Sequence, residues 1–82
     1  MPISRKTYTE EEKQLLKNIG FKIQFFRKKR GMSQLELAEK TQLSYATISH
    51  LESTAIYGLS IVAVYRIAKA LNVGVEQIFK FD

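Results

Sequence analysis

Residues 31–52, GMSQLELAEKTQLSYATISHLE, contain two helix-start signals only eleven positions apart. Ser33 is followed three residues later by Glu36, the S-x-x-E capping-box pattern, and Ser44 stands directly before the run that starts at Tyr45. The space between the two signals holds only about two helical turns, and an isolated helix of that length is marginal in water. The segment therefore predicts two short helices that are stable only against a common body.

Capping signals and apolar spacing elsewhere predict three more helices. Thr9 and Glu12 form a capping box that begins a helix of about twenty residues, and this helix should end near Arg30 because Gly31 suits the position after a helix end. The two short helices described above run over 34–41 and 45–53. The remaining two predicted helices run over 61–71 and 75–79. The predicted inward stripe of the fourth helix contains Ile61, Val64, Ile67, Ala68 and Leu71. The expected fold is all-α, a compact bundle of about five helices, with residues 1–8 as a flexible arm and 9–82 as one domain.

The composition argues against several classes of protein. The chain has 82 residues and no cysteine, so it has neither a disulfide nor a thiol nucleophile. Its longest apolar run, residues 61–65, is far too short to span a bilayer, and the first residues lack the apolar core of a secretion signal. The single histidine, His50, has no second metal ligand or carboxylate pair in the pattern. We therefore expect a cytoplasmic, non-enzymatic protein with no metal, cofactor or evident small-molecule ligand.

The positive charge is concentrated in the first helix. Residues 1–30 carry nine Lys and Arg against three Glu, whereas residues 31–82 carry four against five acidic residues. A basic chain suggests a polyanionic partner, although a solvated surface with surplus lysines fits the charge equally well. The basic run 27–30 predicts phosphate contacts by Lys28 and Arg30, and the preference of cations for a helix C-terminus explains only one or two of its four members.

The third helix carries an outward face with no fixed charge. At about 100° per residue, Ile48 and Leu51 fall together and should face the core. The opposite arc contains Tyr45, Ala46, Ser49, His50 and Ser53. Small and hydrogen-bonding side chains of this kind suit the reading of base edges. Ala38 allows close helix crossing and Leu43 can fill the angle of the turn, which predicts a helix-turn-helix with the third helix projecting outward.

Three spaced motifs resemble those of one known family. The patterns are R-x-x-x-G-M-S-Q-x-x-L-A, L-S-x-x-T-I-S-x-L-E and I-A-K-A-L-N-V, which together lie within residues 19–79. They are similar to the helix-turn-helix proteins of the Cro and phage-repressor type, the XRE family. The resemblance implies a sequence-specific transcriptional regulator that binds a palindromic operator in double-stranded DNA as a homodimer, with the helix at 45–53 in the major groove.

The resemblance also implies roles for individual residues. Backbone phosphate contacts are expected from Gln34, Ser44 and Thr47, and base contacts from Tyr45, Ala46, Ser49 and His50. Arg27 and Glu52 lie at the edges of their apolar faces and are expected to pair, the alternative being two separately solvated charges. The expected dimer interface contains Val75, Ile78, Phe79 and Phe81. The alternative for these four is closure of the monomer core.

Three features depart from the family pattern, and the last two of them support a rival function. Gln42 stands where the turn usually has glycine, residues 53–58 carry no charge, and residues 33–53 sum to −2. Phe21 and Phe25 also point away from the expected core, either under the N-terminal arm, through Ile3 or Tyr8, or toward another protein. The rival is a protein-interaction module, antitoxin-like or an adaptor, that retains the fold with weak or no specific DNA binding.

Overall fold

The described part of the chain, residues 8–53 and 60–80 of the computed structural model, forms α-helices joined by short turns, with no strand among those residues. The helices are Glu10–Lys29 (α1), Gln34–Thr41 (α2), Tyr45–Ser53 (α3), Ile61–Leu71 (α4) and Val75–Ile78 (α5). The all-α prediction is confirmed. The predicted boundaries are those observed to within about a residue, because each helix begins or ends at a recognisable capping residue.

Reciprocal capping boxes start the first two helices. The Thr9 hydroxyl accepts the Glu12 backbone N–H at 3.0 Å, and the Glu12 carboxylate accepts the Thr9 N–H at 2.9 Å. Ser33 and Glu36 form the same pair of bonds at 3.0 and 2.9 Å. Each box satisfies backbone donors that an isolated helix would leave without an acceptor. The start of α2 is therefore set by local chemistry.

Three residues in the left-handed conformation end helices or turn the chain. Gly31 has φ +69° after α1, Gln42 has φ 61° after α2, and Asn72 has φ 58° after α4. Glycine adopts this conformation freely and asparagine tolerates it, but it is strained for glutamine. The tight turn of the helix-turn-helix is thus made at a cost in conformational energy.

The core lies where α1, α2, α3 and α4 meet and is closed by α5. α1 packs on α3, α2 on both α3 and α4, and α5 on α4 and α1. The buried cluster consists of Ile19, Ile23, Leu37, Ala38, Ile48, Leu51, Val64, Ile67, Ala68, Leu71 and Ile78. Leu43, in the turn, is half-buried against this cluster. This packing supports the short α2 and holds α3 against the body by one side only.

The prediction that Ile61 belongs to the inward stripe of α4 is wrong. Ile61 is 87% exposed, while Val64 and Ile67 are buried. Ile61 is the first residue of the helix, and helical side chains tilt toward the N-terminus. Its side chain therefore projects past the end of the core that the rest of the stripe covers.

Candidate nucleic-acid interface

The outward face of α3 is open to solvent. Tyr45 is 54% exposed, Ala46 and His50 are exposed, and Ser49 is half-buried. On the other side of the same helix Ile48 is fully buried. The residues expected to contact bases thus share one accessible face of α3, and their groups are a phenol, a methyl, a hydroxyl and an imidazole. This set of donors, acceptors and apolar contact suits the edges of base pairs in a major groove.

Two hydroxyls are paired at the start of α3. The Ser44 Oγ accepts the Thr47 backbone N–H at 3.0 Å and lies 2.8 Å from the Thr47 Oγ1. Ser44 is therefore the N-cap of α3, and both side chains are exposed. The first amides of α2 and α3 have no acceptor within their own helices, and the helix dipole makes these ends attractive to anions. Both helix starts provide donors suited to a phosphate.

A buried ion pair joins α1 to α3. Arg27 Nε donates to Glu52 Oε2 at 2.6 Å, and Arg27 Nη2 donates to Glu52 Oε1 at 2.9 Å. Arg27 Nη1 also donates to the Met32 carbonyl at 2.7 Å, in the turn before α2. Both charged residues are buried. The predicted pair is present, with two hydrogen bonds between the guanidinium and the carboxylate. The guanidinium also holds the turn that leads into the helix-turn-helix.

Gln34 completes this network. Its Nε2 donates to Glu52 Oε1 at 3.1 Å, and the side chain is half-buried. An amide nitrogen carries two protons, so this bond leaves one for another acceptor. The phosphate contact expected of Gln34 stays a prediction. Its amide is held beside the buried carboxylate, a contact the sequence did not indicate because it joins α2 to the far end of α3.

Burial of Glu52 changes the charge of the candidate interface. Counted along the sequence, residues 33–53 sum to −2, with Lys40 against three glutamates. Glu52 is buried and its charge is compensated by Arg27, which leaves Glu36 and Glu39 as the exposed acids of this segment. The pKa of Glu36 is lowered, mainly by the hydrogen bond that its carboxylate accepts from the Ser33 backbone N–H in the capping box, and to a lesser extent by the Ser33 hydroxyl. The surface is less acidic than the sequence count suggests.

Arg30 makes contacts that the sequence did not indicate. Its Nε donates to the Leu71 carbonyl at 2.8 Å and its Nη2 to the Asn72 carbonyl at 3.3 Å. These carbonyls end α4 and have no partner within the helix, so they attract the guanidinium. Arg30 joins the end of α1 to the end of α4, and because the residue is also exposed, its phosphate contact stays a prediction. Lys28 is exposed and stays a predicted phosphate contact.

The predicted dimer residues separate into three groups. Ile78 is 0% exposed and belongs to the core of the single chain, so its assignment to an interface is wrong. Val75 is half-buried and Phe79 is exposed, while Phe81 lies outside the described residues. The sequence could not decide which of these four apolar residues belong to the core and which to an interface. A short helix at the end of a small core has one side against the core and the other against solvent.

The exposed apolar surface continues from α5 onto α4. Ile61, Val62 and Tyr65 are exposed, and Tyr65 lines the same shallow surface depression as Val75. On α1, Phe21 and Phe25 are exposed and Tyr8 is half-buried, while Ile3, the other residue through which the N-terminal arm was expected to cover these rings, lies outside the described residues. Among the described residues, neighbouring exposed apolar side chains thus lie on α1 and on α4, and a single one, Leu35, lies on α2.

Comparison with known proteins gives a consistent result. The model of the helix-turn-helix family matches residues 23–78. An uncharacterized HTH-type transcriptional regulator of Archaeoglobus fulgidus is 41% identical over 61 residues, which cover 74% of this chain and 86% of that protein. The competence pilus inhibition repressor of Acinetobacter baylyi is 39% identical over 62 residues, 76% of this chain and 56% of the repressor.

A solved structure has the same architecture. The restriction-modification controller protein C.AhdI from Aeromonas hydrophila superposes with a TM-score of 0.74 at 25% sequence identity, over 78% of this chain and 96% of that one. None of the helices within residues 8–53 and 60–80 of the present chain is long and apolar enough to cross a membrane.

Proposed function

The chain belongs to the helix-turn-helix family of DNA-binding transcriptional regulators, and from this premise we propose that it binds a palindromic operator as a homodimer with α3 in the major groove. The observation that carries the proposal is the orientation of α3. Its uncharged face is accessible, whereas Ile48 and Leu51 of the same helix are buried. A helix held by one side against its own core can enter a groove about 12 Å wide.

Each contact has a physical role. The amides at the start of α2, the hydroxyls of Ser44 and Thr47, and the ammonium of Lys28 bind phosphates and set the register. The Tyr45 and His50 side chains, with the Ser49 hydroxyl, donate to or accept from base edges, and the Ala46 methyl packs on a thymine methyl. The net charge of +5 attracts the duplex before these contacts form.

The proposed dimer interface is the apolar surface of α4 and α5. Ile61, Val62 and Tyr65 of α4 are exposed, Tyr65 and Val75 line the same depression, and Phe79 is exposed after α5. A two-fold arrangement covers this surface on both chains and repeats the recognition helix about 34 Å away, one turn of DNA. Ile78 is absent from this interface because it is buried within each chain.

A salt titration against duplex of random sequence tests the DNA interface. We expect binding that weakens steeply as the salt concentration rises, because phosphate contacts release counterions. Selection of bound sequences from a random pool should then give two inverted half-sites centred about 10 base pairs apart. Absence of binding at low salt would support the protein-interaction module instead, and a single unpaired half-site would contradict the homodimer.

A further inference from the structure

The outward side of α1 carries two exposed aromatic rings. Phe21 is 59% exposed and Phe25 is 56% exposed, although Ile19 and Ile23 on the other side of the helix are buried. The Phe25 ring contacts the Phe26 ring edge-on, with centroids 5.2 Å apart. Two neighbouring phenylalanines on the solvent side of a helix leave apolar area that gains free energy if covered.

Opposite charges lie at the two ends of the same side. Glu10 and Glu11 are in the first turn of α1, and Lys28 and Lys29 are in the last. Eighteen residues make five turns at about 3.6 residues per turn, so Glu10 lies on one line of the helix with Lys28, and Glu11 on another with Lys29. The two phenylalanines fall between these lines. The outward face of α1 is thus acidic at one end, basic at the other and aromatic between.

We propose that the outward face of α1 binds the same face of a second copy of this chain, with the two α1 helices antiparallel. A two-fold axis between the helices places Glu11 beside Lys29 of the second copy, while Glu10 keeps its ion pair with Lys13 of its own helix at 3.4 Å and Lys28 remains available for the proposed phosphate contact. The pairing occurs twice, so two ion pairs flank the contact. A parallel arrangement would place like charges together, so charge complementarity determines the direction.

The middle of the contact is also complementary. In the antiparallel arrangement Phe25 lies opposite Gln14 of the second copy, and Phe21 lies opposite Asn18, close to the two-fold axis. The Gln14 amide donates to the Asn18 carbonyl oxygen at 3.1 Å within each helix. This bond already satisfies one donor and one acceptor, which lowers the cost of covering the amides with an aromatic ring.

A single pair of helices buries less area than a standard interface, so this contact is weak between freely diffusing molecules. It gains strength between molecules that DNA holds side by side, where the effective concentration is high. Since the α4–α5 surface is separate from it, the two contacts together would join dimers on neighbouring sites. This last consequence rests on the proposed function, whereas the association itself does not.

Charge exchange between the two ends tests the pairing in the absence of DNA. Every variant, and the parent with which it is compared, carries Tyr65→Glu, which removes the proposed α4–α5 contact. Association is then measured by sedimentation equilibrium at low salt for Glu11→Lys, for Lys29→Glu and for an equimolar mixture of the two. Each variant alone should associate about tenfold more weakly than the parent, because both of its symmetric pairs become repulsive. The mixture should recover the parent affinity, because both of these pairs again join opposite charges when one variant binds the other. Glu39→Lys and Lys40→Glu, which make the same charge changes on α2, should leave the association unchanged.

A second variant separates loss of contact from loss of fold. Phe21→Ser with Phe25→Ser removes the rings from exposed positions, so the thermal unfolding followed by circular dichroism should be nearly that of the parent while the association is lost. The proposal is overturned if neither charge variant weakens association, or if the mixture associates no better than its components. It is also overturned if the full chain does not associate but a variant lacking residues 1–7 does, which would make that segment the occupant of the face. Because no DNA is present, none of these outcomes bears on operator binding.

Discussion

Gln34 and Glu52 are eighteen positions apart, and the Gln34 amide donates to the Glu52 carboxylate at 3.1 Å. The same carboxylate oxygen accepts from Arg27 Nη2 at 2.9 Å. The first residue of α2, which is expected to face a phosphate, is therefore positioned by an ion pair between α1 and α3. One buried carboxylate therefore links α1, α2 and α3.

Removing the charge of Glu52 should destabilise the protein strongly. Glu52→Gln leaves the Arg27 guanidinium buried without a counter-charge, and breaking such a pair costs about 3 to 5 kcal/mol. Urea unfolding gives the free energy directly. The double variant Arg27→Met with Glu52→Leu should recover much of the loss, since no buried charge remains. If the free energy of unfolding of Glu52→Gln were within about 0.5 kcal/mol of the parent value, the pair would not be buried in solution.

Replacing Gln42, the left-handed residue of the turn after α2, should stabilise the protein. Gln42→Gly relieves a φ of 61° and should raise the free energy of unfolding by about 0.5 to 1 kcal/mol, after the greater entropy of glycine in the unfolded chain is counted. Thermal unfolding is a sufficient measurement. Asn72→Gly is the matched control and should gain less, because asparagine tolerates this conformation. A destabilised Gln42→Gly would mean that the glutamine side chain makes a contact worth more than the strain.

Base-contacting and phosphate-contacting residues should differ in how they change DNA binding. Tyr45→Ala and His50→Ala should each weaken the preferred operator by about 1 to 3 kcal/mol and relax the preference at one base position. Gln34→Ala should weaken all sequences alike. Binding isotherms on the operator and on single-base variants distinguish the two patterns. Uniform weakening by Tyr45→Ala would contradict its assignment to a base.

The α4 surface should control assembly. Tyr65→Glu places a charge on the proposed interface, so the variant should be monomeric and lose affinity for the palindrome while its affinity for one half-site is kept. Light scattering combined with size-exclusion chromatography measures the mass. Leu35→Glu, which changes an equally exposed apolar residue on α2, is the control and should remain dimeric without DNA. A dimeric Tyr65→Glu protein would place the interface elsewhere.

The capping box of α2 should give the stability a specific dependence on pH. The backbone N–H of Ser33 lowers the pKa of Glu36 in the folded state, so the folded protein binds this proton less readily than the unfolded chain does. The contribution is therefore present above the ordinary glutamate pKa, about 4.3, and is lost as the pH falls below it through the folded value. Urea unfolding of the parent and of Glu36→Gln between pH 7 and 3 should show a steeper decline for the parent. Parallel curves would contradict the assignment.

The helix boundaries could be predicted because their causes are local. The hydroxyl of Ser33 and the carboxylate of Glu36 are three residues apart and need only one turn of helix to meet. Gly31 and Asn72 mark helix ends because a residue's own backbone preferences decide whether it adopts a left-handed conformation. The outward face of α3 was predictable for a related reason, since the burial of Ile48 and Leu51 requires the opposite arc to face away.

The sequence alone determined which residues form the helices and which side of α3 is free, because capping and helical periodicity act within a few residues. Only the tertiary structure decided which long side chains meet across helices. Arg30 reaches the carbonyls at the end of α4, Gln34 reaches Glu52, and Ile78 is buried instead of facing a second chain. The physical reason is that these contacts depend on how whole helices cross, and a flexible polar side chain or a terminal apolar one satisfies the same local pattern with several different partners.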